Sequence, residues 1–222
     1  DGALLIAPYW VSYAAMVHMT RAQAQVVVTG IENNYKVTPE QLDAHMQDNT
    51  RPGFLITPSN PTGSMYSPEE LAELVKVLEK YPYAYIISDE IYEHITFGKK
   101  HLSLGTFESI FDRVITVNGF SKGFAMTGWR LGYIAAPLEV AKLCNKVQGQ
   151  VTSGANAFAQ MGAIAALTES LEPTYQMRDE FLSRRDMMHQ KLSEIDGLKV
   201  NMPDGAFYFY PDFEAFIGRV SP

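Results

Sequence analysis

The sequence predicts an α/β fold: a three-layer α/β/α arrangement around a mainly parallel sheet. Two observations predict it. Short apolar runs of strand length alternate with amphipathic helical patterns along the first two thirds of the chain. Helical stretches with Ser/Thr-Pro-Glu starts also lie between the runs, and strands alternating with helices argue for a mainly parallel sheet with helices on both faces.

The elements follow in order. Strand-like runs are Leu4–Ala7, Gln25–Thr29, Phe54–Thr57, Tyr85–Ser88, Val114–Val117 and Leu131–Ala135. Between them, "TPEQLDAHM" and "SPEELAELVKVLEKY" each open on Ser/Thr-Pro-Glu. That start supplies an N-cap, a proline at the first helical position and an acid at the positive end of the helix dipole. The second places Leu71, Leu74, Val75 and Leu78 on one face. Helical patterns then run from Pro137 toward Gln150, from about Ala157 to Leu171, and from about Pro173 to Ile195. "NMPDGAFYFYP" returns to strand character, and a change of domain is expected near Pro203–Gly205, dividing 1–203 from 204–222. The chain starts beside an apolar run and closes on "FEAFIGRVSP" with no concluding element, as expected of a piece of a longer protein.

Composition narrows the function. The 222 residues are 46% hydrophobic, enough for a substantial core, and the net charge of −7 without a basic run argues against nucleic acid as a partner. Cys144 is the only cysteine, so an intramolecular disulfide and a cysteine-based zinc site are excluded, and a reducing, cytoplasmic setting is expected. No run reaches the roughly 18 apolar residues of a membrane span. The histidines at 18, 45, 94, 101 and 189 form no H-x-x-x-H pair, and no metal is expected.

In open α/β sheets ligands bind beyond the carboxyl ends of the strands. Here that edge would collect Trp10 from "PYW", Asn60 from "PSNPTG", Asp89 and Tyr92 from "DEIY", and Lys122 from "NGFSK". Each has an ordinary reading: Trp10 and Tyr92 as packing, Asn60 as a turn former, Lys122 as a solvated charge, Arg130 as an ion-pair partner. Asp89 is the least ordinary, because a carboxylate directly after "AYIIS" is costly without a partner. "YIISDE" resembles a Walker B strand, but the chain has no G-x-x-x-x-G-K-[ST] to cradle phosphates. "GFSKG" matches a nucleophile elbow, yet "FAMTGWRLGYIAA" soon turns strand-like where a helix should follow.

One chemistry employs the whole set. Pyridoxal phosphate needs a lysine amine for its aldehyde, a carboxylate to keep the pyridine nitrogen protonated, donors to the ring O3′, a flat apolar surface and a cation for the phosphate. Lys122, Asp89, Asn60 with Tyr92, Trp10 and Arg130 match those needs one for one.

The chain also resembles the class I aminotransferases of the fold-type I pyridoxal phosphate enzymes, most of all the prokaryotic aspartate aminotransferase subgroup. The resemblance covers nearly the whole chain and rests on "APYWVSY", "PSNPTG", "SDEIYEH", "SKGFAMTGWRLGY" and "DGAFY". It implies the large-domain fold of those enzymes over 1–203, the start of the small domain over 204–222, and a homodimer. It implies that Lys122 is the Schiff-base lysine and proton shuttle, that Asp89 pairs with the pyridine nitrogen, and that Asn60 and Tyr92 bond O3′. Trp10 would stack on the ring, and Arg130 would bind the phosphate. The implied reaction moves an amino group from an amino acid, aspartate by resemblance, to a 2-oxo acid, 2-oxoglutarate. Related readings share the motifs: β-elimination by a C–S lyase, or a non-catalytic sensor domain of a transcription regulator. Two departures stand out. A serine common three residues before the lysine is Gly119 here, and Arg219 comes too early to be the arginine that grips the substrate carboxylate.

Overall fold

A computed structural model describes residues 1–219; residues 220–222, the end of the expected second segment, lie outside the described residues. The sheet has six strands: β1 (Gly2–Ala7), β2 (Gln23–Val28), β3 (Thr50–Ile56), β4 (Tyr85–Asp89), β5 (Val114–Gly119) and β6 (Gly132–Ala135). Their order is β2-β1-β3-β4-β5-β6. The first five are mutually parallel, and β6 runs antiparallel to β5. Each apolar run noted in the sequence becomes a strand, with ends shifted by a few residues.

The helices are α1 (Ser12–Met19), α2 (Pro39–His45), α3 (Pro68–Leu78), α4 (Leu138–Val151), α5 (Ala157–Thr168) and α6 (Glu172–Ser193). The Ser/Thr-Pro-Glu starts close as full capping boxes. Thr38 Oγ1 accepts from Gln41 N while Gln41 Oε1 accepts from Thr38 N, and Ser67 and Glu70 repeat the exchange at α3. α3 buries Leu71, Leu74, Val75, Val77 and Leu78, each contributing about 1.5–3 kcal/mol of apolar burial.

Strand alternation splits the core into two layers. Leu4 and Leu55 face α2 and α3 on one side of the sheet, while Leu5, Phe54 and Ile56 meet Tyr13 and Val17 of α1 on the other. α1 escapes a reading of the sequence because "SYAAMVHM" carries no charge pattern and no side-chain cap. Among the described residues no helix is long and apolar enough to cross a membrane.

The strand expected over "NMPDGAFYFYP" does not form. Within it Gly205 alone makes an isolated bridge, to Thr96, and Lys199 bridges Asp212 just outside its two ends. Pro203 has no N–H to donate to a ladder, and Ala206 sits at φ 56°, which turns the chain out of extended geometry. The segment is nonetheless fixed: Gly63 O accepts from Asp204 N at 2.8 Å and Gly205 N at 3.0 Å, and Ala206 N donates to Ile95 O at 2.9 Å.

Candidate active site at the carboxyl edge of the sheet

Parallel strands bring their carboxyl ends to one edge, and six sequence-predicted residues meet there. Trp10, Asn60, Asp89, Tyr92, Lys122 and Arg130 all line a single cavity of about 370 Å³. A larger and mostly apolar cavity of about 670 Å³ adjoins it through Trp10, Tyr13, Asp89 and Val117, but holds neither the lysine nor Arg130. The smaller one therefore has the chemistry.

Asp89 closes β4. Its Oδ2 accepts a hydrogen bond from the Tyr13 hydroxyl, and its Oδ1 accepts from Ile91 N at 3.2 Å. Burial pushes its carboxyl above the ordinary range and the Glu90 charge adds to this, while the Tyr13 and Ile91 donors oppose it. Burial, then the Asp89 charge, push the Tyr13 phenol strongly upward. Among the described residues no basic side chain pairs with Asp89. A half-buried carboxylate with only neutral donors keeps a desolvation cost that a bound cation would offset.

Lys122 follows β5 on a tight turn in which Ala125 N bonds Lys122 O and Met126 N bonds Phe120 O. No helix follows, so the elbow of a hydrolase is absent; the chain passes a short 3-10 turn, Thr127–Trp129, into β6. Lys122 Nζ lies 5.8 Å from the Tyr92 ring centre and 5.6 Å from that of Phe207, with no carboxylate paired to it among the described residues. Arg130 ends the 3-10 turn at φ 52°, a left-handed conformation unfavourable for a non-glycine residue. Its Nη1 donates to Thr127 O at 2.9 Å, leaving the rest of an exposed guanidinium toward the cavity.

Tyr92 is buried, with its hydroxyl 2.7 Å from that of Tyr208. Burial, and next the hydrogen bond with Tyr208, push its phenol strongly upward, while Asn60 works the other way. The Asn60 loop is held from behind, since Asn201 Nδ2 donates to Thr62 O at 3.1 Å. Gly63 sits at φ +68°, and a Cβ there would meet Pro203 Cβ at 2.5 Å. Trp10, partly exposed, makes an edge-on contact with Tyr13 at 5.5 Å between ring centres.

Gly119 explains one departure noted above. A Cβ at this position would lie 2.9 Å from Gly132 Cα and 3.0 Å from Leu131 O, so β5 and β6 approach too closely for a serine. Nor does "DEIYEH" make a convincing metal centre. Glu90, Glu93 and His101 come within 4.8 Å of one another, but Glu90 Oε1 already accepts from Ser88, Ser103 and Leu104 N.

Three residues of the site were not picked out by reasoning on the sequence. Tyr13 and Tyr208 line the cavity, and Phe207 packs beside Lys122. Tyr13 lies three residues beyond Trp10, close to one helical turn, which was the available signal. Phe207 and Tyr208 stand in "DGAFY", one of the motifs of the resemblance, but the pattern assigned them no role because the backbone turn that aims them is tertiary.

A profile of the family "Aminotransferase class I and II" matches residues 1–216. The chain belongs to the class I and II aminotransferases. Among curated aminotransferases of this family, the aspartate aminotransferase of Pinus pinaster is 40% identical over 222 residues, covering 98% of this chain and 45% of that protein. The aspartate/prephenate aminotransferase of Cereibacter sphaeroides is 40% identical over 223 residues, covering 100% of this chain and 56% of its own length. In three dimensions, the aspartate aminotransferase of Rhizobium meliloti superposes with a TM-score of 0.97 at 33% identity, over 100% of this chain and 56% of that one. The chain thus spans about half the length of these aminotransferases.

Proposed function

We propose that the whole protein transfers the amino group of an amino acid, aspartate first among candidates, to a 2-oxo acid such as 2-oxoglutarate, with pyridoxal 5′-phosphate as cofactor. The observation that carries the reading is Asp89: a half-buried carboxylate lacking a basic partner among the described residues, in one cavity with a lysine amine and a guanidinium. Relatives named aspartate aminotransferase support the substrate.

In this reading Asp89, steadied by Tyr13, holds the protonated pyridine nitrogen, and Arg130 holds the phosphate. Asn60 and Tyr92 bond the ring oxygen, and Trp10 covers the ring. When bound, pyridoxal phosphate supplies an electron sink for the negative charge left at the substrate α-carbon. Lys122 anchors the cofactor through its amine and, once free, takes up the α-proton and returns it. The aromatic rings of Tyr92 and Phe207 flank Nζ at 5.8 and 5.6 Å and fix where the amine stands in the cavity. Residues 1–203 form the cofactor-binding large domain, residues 204–222 begin the small domain, and the protein works as a homodimer.

The test is borohydride reduction of the full-length protein with pyridoxal phosphate, followed by peptide mapping. A phosphopyridoxyl group on Lys122, and conversion of the cofactor to its amine form by aspartate, are the expected results. Labelling scattered over surface lysines would sink the site assignment. Release of pyruvate or a thiol without amino transfer would replace it with an eliminating enzyme.

A further inference from the structure

Tyr92 cannot direct its own hydroxyl. A phenol O–H rotates freely unless a fixed partner occupies one side of the oxygen. Tyr208 provides such a partner: the two hydroxyls are 2.7 Å apart, and the rings stand edge-on at 84° with centres 5.8 Å apart. Tyr208 is itself held firmly. Ala206 N bonds Ile95 O, Phe97 N bonds Asp204 O at 2.8 Å, and a Cβ on Gly205 would come within 2.7 Å of Ile95 O. The Phe207 ring packs 5.3 Å from Tyr92 and 4.9 Å from Tyr208, fixing the angle between the two phenols.

Two facing hydroxyls place one proton between them, and the other remains available outside the pair. If Tyr208 donates, the Tyr92 proton is free to point into the cavity; if Tyr92 donates, it offers the cavity only lone pairs. Without a ligand the bond with Tyr208 raises the Tyr92 pKa, the sense of Tyr92 as donor, and either hydroxyl can take that role; an oxygen with developing negative charge against Tyr92 selects the first arrangement. We propose that Tyr208 is a positioning residue, donating to Tyr92 and so committing the Tyr92 O–H to the ring oxygen of the cofactor. The inference rests on the reading of Tyr92 given under the proposed function. The other ionisable groups around the pair are Asp89, Tyr13 and Lys122.

The test is a double-mutant cycle on the full-length protein, Tyr92→Phe and Tyr208→Phe, read by cofactor affinity in equilibrium dialysis and by the pH midpoint of the bound cofactor's visible absorbance. Donation to an oxygen favours its deprotonated form, so losing it should raise that midpoint. Tyr208→Phe is expected to weaken binding about 3–10-fold and raise the midpoint by roughly half a pH unit. In the Tyr92→Phe background the same change should do almost nothing. Equal effects in both backgrounds would overturn the proposal, because Tyr208 would then act without Tyr92. An unchanged midpoint in Tyr208→Phe alone would also overturn it. If Tyr92→Phe itself leaves the midpoint unmoved, the underlying reading of Tyr92 fails, a separate and recognisable result. Should Tyr208→Phe fold poorly, 3-fluorotyrosine at 208 keeps the shape and makes the donor more acidic; the midpoint should then fall, and a midpoint that stays put counts against the proposal.

Discussion

Tyr13 on α1 donates its hydroxyl to Oδ2 of Asp89 at the end of β4, joining two elements 76 residues apart in sequence. The bond favours the ionised carboxylate, against the burial that disfavours it. Tyr13→Phe should therefore raise the Asp89 pKa further and narrow, from the acid side, the range in which the cofactor is held. A hydrogen bond to a charged group contributes about 1.5–3 kcal/mol, so binding should weaken roughly 10-fold or more, and most at low pH. Equilibrium dialysis across pH checks this; a uniform loss at all pH values would point instead to ring packing.

Asp89→Asn should trade stability against binding. A carboxyl whose folded-state pKa lies above its unfolded value holds its proton more tightly when folded. Its ionisation therefore costs stability as pH rises through the folded pKa, and costs nothing below the unfolded value. The cofactor-free variant should melt higher than the parent at neutral pH, with the gain vanishing below about pH 4. Cofactor affinity should fall about 100-fold or more, as expected when one member of a buried charge pair is removed. Calorimetry of both proteins from acid to neutral pH reads the first effect, and dialysis the second.

Gly119→Ser tests the closeness of β5 and β6. With backbone atoms at 2.9 and 3.0 Å from the new Cβ, the strands must separate, at a cost of about 1–3 kcal/mol. Urea denaturation should show that loss; a neutral result would mean the β6 edge yields easily.

Arg113 offers a control far from the cavity. Its buried guanidinium donates to the carbonyls of Leu78, Tyr81 and Ala84, binding the end of α3 to the start of β5. Arg113→Met should lower stability by about 1–3 kcal/mol while leaving the cofactor absorbance midpoint in place. A shifted midpoint would mean that this end of the sheet is coupled to the site.

Much of this could be read from the residues. Runs such as Tyr85–Ser88 and starts such as Ser67-Pro68-Glu69 carry their structure locally, through apolar pattern and capping chemistry, and both formed where expected. Trp10, Asn60, Asp89, Tyr92 and Lys122 converge because the parallel strands they follow end at one edge, and Arg130 joins them from the turn before the antiparallel β6. What stayed hidden depends on distant contacts. α1 is held by burial of Tyr13 and Val17, not by its own sequence. The turn at Ala206 cancels the strand that "AFYFY" advertises, and only that turn aims Tyr208 at Tyr92. Gly119 looks like an ordinary loop glycine until β6 is seen lying against it.

The clasp between the Asn60 loop and residues 201–205 has a consequence for how the protein is made. Asn201 bonds Thr62 across 139 positions, so a chain growing on the ribosome builds one wall of the cavity long before the segment that braces it exists. Domains assemble as their residues emerge, N-terminal parts first. The early strands can pair while the loop at Asn60 still lacks its brace from residues 201–205. Stalled nascent chains ending before residue 200 should be cut by protease at this loop, and chains extended far enough for Tyr208 to leave the ribosome should resist.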